Sequence, residues 1–196
     1  MDKSIFDKRY APHYDNFFSM IDHIGPELND RKNRFDKADL IEAALERATN
    51  GRLSWEDSLG FDNYDAQNKE KFEVKSQGNC LYTKTGNLKK KTSAIKLTNT
   101  LQKSSSNKTL NCTADYLILI DSKQFAMAII SYREVVEKYS QELSDGFSCQ
   151  IPTDKLIILR TPEEYVKIIQ ENSIDYAPAK RQLQKEYVNS WFENEI

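Results

Sequence analysis

The most constraining feature of the chain is a pair of apolar runs, Tyr116–Ile120 and Phe125–Tyr132, separated by Asp121-Ser122-Lys123-Gln124. Both runs are strand-length and largely apolar on both faces, which predicts central strands of a covered sheet. The four residues between them suit the turn of a hairpin. A chain that carries such a hairpin needs further strands beside it and other elements packed over it.

Those elements can be read on either side. Residues 71–77 alternate, with Phe72, Val74 and Ser76 on one face and Glu73, Lys75 and Gln77 on the other. They predict a strand, paired with a second over 59–64 through a connection around Asn68. Shorter strands are expected at 94–97 and 155–159. A helix is expected over 10–24, with Phe17, Met20, Ile21 and Ile24 in one stripe and Gly25-Pro26 ending it. The clearest helix is 37–48, capped by Asp36, with Leu40, Ile41, Ala44, Leu45 and Ala48 as its buried face and Asn50-Gly51 as its stop. Thr161-Pro162 reads as another helix start, and 178–193 as a last helix anchored by Leu183, Tyr187, Val188, Trp191 and Phe192. The expected fold class is α/β of the mixed α+β kind, a central mixed β-sheet flanked by helices. At 196 residues the length suits one domain. Helices are expected in 1–52, the sheet with a polar basic segment in 53–132, and a strand and helices in 133–196.

Composition removes several function classes. The chain has two histidines and three cysteines, with no Cys-x-x-Cys pair, so a zinc finger, a zincin helix and a Ser-His-Asp site are not expected. Six glycines and no glycine-rich phosphate loop argue against a nucleotide cofactor. No apolar run approaches a membrane span. The first ten residues mix acids and bases without an apolar stretch, so no signal peptide is expected and a cytoplasmic location is.

Charge is strongly segregated. The net charge is −2, yet residues 76–114 hold seven lysines and no acid. Nineteen of those 39 residues are Ser, Thr, Asn or Gln, a mixture suited to phosphate and base-edge contacts. Lys84, Lys89, Lys90, Lys91 and Lys96 are the phosphate candidates. Asn99, Thr100, Gln102 and Asn107 are the base-edge candidates, with Ser76 and Gln77 on the strand leading into the block. The competing reading is a solvated loop.

The chemistry-bearing pattern is Asp62 followed by Glu73-Val74-Lys75. Residues i and i+2 of a strand share a face, so Glu73 and Lys75 project together, and a neighbouring strand brings Asp62 alongside. Two carboxylates and the Val74 carbonyl are oxygen donors for a hard cation, with the lysine placed to act on water. An acid-x-lysine triplet alone is weak, since roughly three arise by chance in such a composition. The other two, Asp30-Arg31-Lys32 and Asp121-Ser122-Lys123, fall in a charged loop and at the hairpin tip.

The stretch GFDNYDAQNKEKFEVKSQ resembles the active-site hairpin of the PvuII-like type II restriction endonucleases, within the PD-(D/E)xK nuclease superfamily. The shared residues are Gly60, Asp62, Asp65, Phe72, Glu73, Lys75 and Ser76, and the likeness covers about 18 residues. It implies a restriction-endonuclease-like core, with Asp62 and Glu73 as Mg²⁺ ligands and Lys75 positioning the attacking water. Asp65 is the fallback for the first carboxylate. Related nucleases bring a helix glutamate to the metal, which makes Glu46 (one turn beyond Glu42) an outside candidate. The implied function is a Mg²⁺-dependent, sequence-specific double-stranded DNA endonuclease, a prokaryotic or phage homodimer leaving 5′-phosphate and 3′-hydroxyl ends. No His-His pair follows the motif, so no target sequence carries over. The alternatives are a structure-specific repair or recombination nuclease and a non-catalytic DNA-binding protein on the same fold. Tyr64 is read as a sheet aromatic or as a phosphate-side contact.

Overall fold

The computed structural model describes residues 9–10, 13, 16, 36–58, 60–98, 101–103, 108–110, 113–143 and 146–162. Helix α1 (Asp36–Ala48) buries Ile41, Ala44, Leu45 and Ala48. It ends as Asn50-Gly51 predicts. Both residues have positive φ, at 52° and 78°. The Gly51 and Asn50 amides return to the carbonyls of Glu46 and Arg47, the paired closure of a Schellman motif.

The strands follow in chain order: β1 (Leu53–Ser58), β2 (Phe61–Asp65), β3 (Glu70–Ser76), β4 (Ile95–Thr98), β5 (Leu101–Lys103), β6 (Lys108–Leu110), β7 (Tyr116–Asp121), β8 (Ala126–Ser131), β9 (Ser140–Leu143), β10 (Gly146–Cys149) and β11 (Ile157–Arg160). The main sheet runs β1-β2-β3-β7-β8-β11. It is mixed, with β3 and β7 parallel and the other neighbours antiparallel. As the apolar runs require, β7 and β8 lie inside the sheet and are buried along almost their whole length. A second sheet runs β4-β10-β9, and β5 and β6 form a separate ribbon.

Side-chain parity sorts the core into two layers. Phe72, Val74, Ile118, Ile120, Met127 and Ile129 face α1 and Tyr10. Leu117, Leu119, Ala128 and Ile130 face the other way, onto Cys80-Leu81-Tyr82, Ile95, Leu97 and Cys149. Helix, main sheet and small sheet therefore stack as three layers.

Several expectations need correction. The strand expected over 59–64 begins after Gly60, whose φ of 105° turns the chain out of β1. Strands β1, β9 and β10 were not expected, and β5 and β6 lie in a block expected to hold one strand. Residues 153–155 form a helical turn before β11 rather than its start. Pro162 is helical as expected. The expected helices over 10–24 and 178–193 lie, for the most part in the first case and wholly in the second, outside the described residues. No helix among the described residues is long and apolar enough to cross a membrane.

Candidate functional site

Strands β2 and β3 pair at Asn63↔Phe72, Tyr64↔Lys71 and Asp65↔Glu70. The ladder then stops, while β3 continues beside β7 as far as Ser76↔Ile120. The edge of Val74 facing β2 has therefore lost its strand partner. Asp62 takes that place: its Oδ2 accepts the Val74 amide N–H at 2.6 Å. The Val74 carbonyl accepts the Lys75 ammonium at 3.2 Å.

Glu73 and Lys75 project together, as their spacing requires. Lys75 Nζ lies 2.5 Å from Glu73 Oε1 and 3.9 Å from Asp62 Oδ2. Side-chain exposure is 22% for Asp62, 9% for Glu73 and 28% for Lys75. The cluster is open to a ligand yet shielded enough for its charges to interact more strongly than on a free surface. Burial alone lowers the Lys75 pKa, but the Glu73 and Asp62 charges outweigh it and hold the ammonium above its ordinary value. Lys75 is thus a cation at neutral pH.

Two carboxylates and a peptide carbonyl fit a hard divalent cation that keeps several waters, as Mg²⁺ does. Among the described residues no group of three or more His, Cys, Asp or Glu side chains is placed to hold a metal. Asp62, Glu73 and the Val74 carbonyl are then the donors this corner of the sheet offers. When bound, such a cation neutralises phosphate charge and acidifies water.

Asp65, the fallback, lies on the opposite face. Three residues from Asp62 along one strand, it has the other parity. It is fully buried and accepts from Tyr10 Oη, Arg52 Nε at 3.2 Å, Asn68 Nδ2 at 2.8 Å and the Gln67 and Asn68 amides. It locks the β2–β3 turn to the residues beneath it. Glu46 is likewise engaged elsewhere, its carboxylate accepting the Trp55 amide at 2.7 Å. The helix glutamate whose charge reaches Lys75 is Glu42. It is buried and accepts the Trp55 indole N–H at 3.1 Å. Its place at the edge of the apolar stripe was the available signal.

The hairpin-tip acid of the Asp121 triplet is structural. Its buried carboxylate accepts five backbone amides, from Asn79, Leu81, Tyr82, Lys123 and Gln124. It thereby docks the start of the basic block onto the end of β7. Within that block Lys84, Lys90, Lys91, Lys96 and Ser76 are exposed, and Gln77 is half-buried. Lys89 turns inward instead, donating to the Asn79 carbonyl and to Ser93 Oγ, so it does not belong with the phosphate candidates in this conformation. Gln102 lies on β5 opposite Thr109. Asn99, Thr100 and Asn107 lie outside the described residues. Cys80 and Cys149 are free and buried, and burial pushes their thiols up to about 12 and about 11.

Set against protein-family models, curated proteins and solved structures, the chain finds no match in any of the three.

Proposed function

We propose that the chain is a Mg²⁺-dependent, sequence-specific double-stranded DNA endonuclease of the type II restriction class, working as a homodimer in a prokaryotic or phage-infected cytoplasm on a restriction-endonuclease-like core. The observation that carries this reading is the convergence of Asp62, Glu73 and Lys75 around the Val74 peptide, where β2 and β3 part. The acid-free block adjoining the site supplies the charge to hold an anionic polymer, with Lys84, Lys90, Lys91 and Lys96 exposed.

The residues divide the work. Asp62 and Glu73 would hold the Mg²⁺. Lys75 keeps its proton at Nζ and orients water toward phosphorus by hydrogen bonding. Water attacks phosphorus in line and the bond to O3′ breaks. The proton lost by water is balanced by the one O3′ gains, leaving a 5′-phosphate and a 3′-hydroxyl.

The test is digestion of a long duplex of known sequence with Mg²⁺, beside EDTA and Glu73→Ala controls. Discrete bands that vanish in both controls are expected. Cutting confined to branched or flapped DNA would point to a structure-specific repair nuclease. Metal-independent binding without cleavage of any DNA would overturn the enzymatic reading in favour of a DNA-binding protein.

A further inference from the structure

Next to the acid pair, the same corner of the sheet carries an aromatic and cationic cluster, Phe61, Tyr64 and Lys71. Tyr64 and Lys71 are register partners on β2 and β3. They precede Glu73 and follow Asp62 by two residues each, so all four share strand parity and one face. The Lys71 ammonium stands 4.9 Å from the centre of the Phe61 ring. Phe61 has the other parity and opens β2 directly after Gly60, yet its ring lies 6.2 Å from that of Tyr64, inclined at 50°. All three side chains are half-buried. Among the described residues no carboxylate pairs with the Lys71 ammonium. Asp115 accepts the Lys71 backbone amide, at 2.9 Å.

Two residues along a strand advance about 7 Å, close to the separation of successive phosphates in a nucleic-acid backbone. A strand with one phosphate at Asp62 and Glu73 therefore brings its neighbour to Lys71. The nucleoside between the two phosphates then lies over Phe61 and Tyr64. A cation for a phosphate and aromatic rings that can lie against a sugar are contacts a duplex strand accepts without unstacking its bases.

We propose that Phe61, Tyr64 and Lys71 form a nucleotide-binding subsite one phosphate away from the acid pair, with Lys71 on the adjoining phosphate and the two rings against the intervening nucleoside. This rests on the nuclease reading for its substrate, and its test separates the two. A short fluorescein-labelled duplex of mixed sequence is titrated by anisotropy in EDTA at several salt concentrations, so that cleavage plays no part. Lys71→Ala is expected to reduce the slope of log K against log salt by about one, and Lys71→Arg to restore it. Phe61→Leu keeps apolar bulk but loses the ring. It is expected to weaken binding about 5-fold or more with the slope unchanged. Melting temperatures near wild type establish that each variant is folded. A folded Lys71→Ala variant with wild-type slope and affinity would overturn the subsite, whatever the wild type cleaves. Wild-type binding that obeys these expectations without Mg²⁺-dependent cleavage would keep the subsite and remove the nuclease.

Discussion

An ammonium group already lies between the two carboxylates of the site, and that determines what its removal does. Lys75→Met deletes the resident cation, leaving Asp62 and Glu73 with only an incoming one to balance them. We expect the variant to bind Mn²⁺ more tightly than wild type by calorimetry, while DNA cleavage falls by about 100-fold or more. A loss of both would show that Lys75 shapes the acid pair instead of competing for it. Asp65 offers the opposite case. Burial by itself raises its pKa, but hydrogen bonds from Tyr10, Asn68 and Arg52 outweigh this and hold it below the ordinary 3.8. A carboxylate depressed in this way contributes stability above its unfolded pKa and loses it as pH falls through the folded one. Asp65→Asn is expected to cost about 3 kcal/mol in neutral urea titrations, with the gap to wild type narrowing in acid. A gap that stays constant into acid would mean the charge of Asp65 contributes nothing. The distinction between the two aspartates was latent in the sequence. A spacing of three on one strand puts them on opposite faces, whereas Asp62, Tyr64, Lys71, Glu73 and Lys75 share one.

At the scale of elements, what could be read followed burial. The runs that became β7 and β8 are apolar because both of their faces are covered, and the stripe of α1 is apolar on the side that meets the sheet. Strand β1, Leu-Ser-Trp-Glu-Asp-Ser, lies at the sheet edge. Strands β9 and β10 are four residues each, in a small sheet whose outward positions include Lys96, Gln141 and Ser148. Such strands are specified by their neighbours more than by their own residues, which is why local pattern missed them. The fold around residues 79–82 depends in the same non-local way on Asp121, some 40 residues away. Asp121→Ala strands five backbone amides, two of them in buried hydrogen bonds. The expected cost is about 3 kcal/mol or more. Hydrogen exchange should accelerate at Asn79, Leu81 and Tyr82 before it does at Val74 in β3. Equal acceleration at both would mean that the docking of this loop and the sheet unfold as one unit.

Across the whole molecule, the near-zero net charge conceals a division that the fold preserves. The acid-free block leaves β3 immediately beyond Lys75, is pinned by Asp121, and rejoins the main sheet at β7. At its far end the Thr113 amide donates to the Gly60 carbonyl, two residues from Asp62. Ile95 and Leu97 of the block pack with Leu117 and Leu119, the register partners of Glu73 and Lys75. The block does not act as a uniform cloud, because its lysines differ in what they already hold. Lys84, Lys90, Lys91 and Lys96 are exposed, so under the proposed function each phosphate they neutralised would release counterions. Replacing any one of these four with alanine is expected to lower the salt slope of duplex binding by about one without shifting the melting temperature. Lys89 is the internal control. Its ammonium ties the Asn79 carbonyl to Ser93, so Lys89→Ala should lower the melting temperature and leave the slope unchanged. Were Lys89→Ala instead to lose slope at an unchanged melting temperature, the ammonium must swing outward when DNA binds. The lysine tether of the loop would then be a contact exchanged for phosphate.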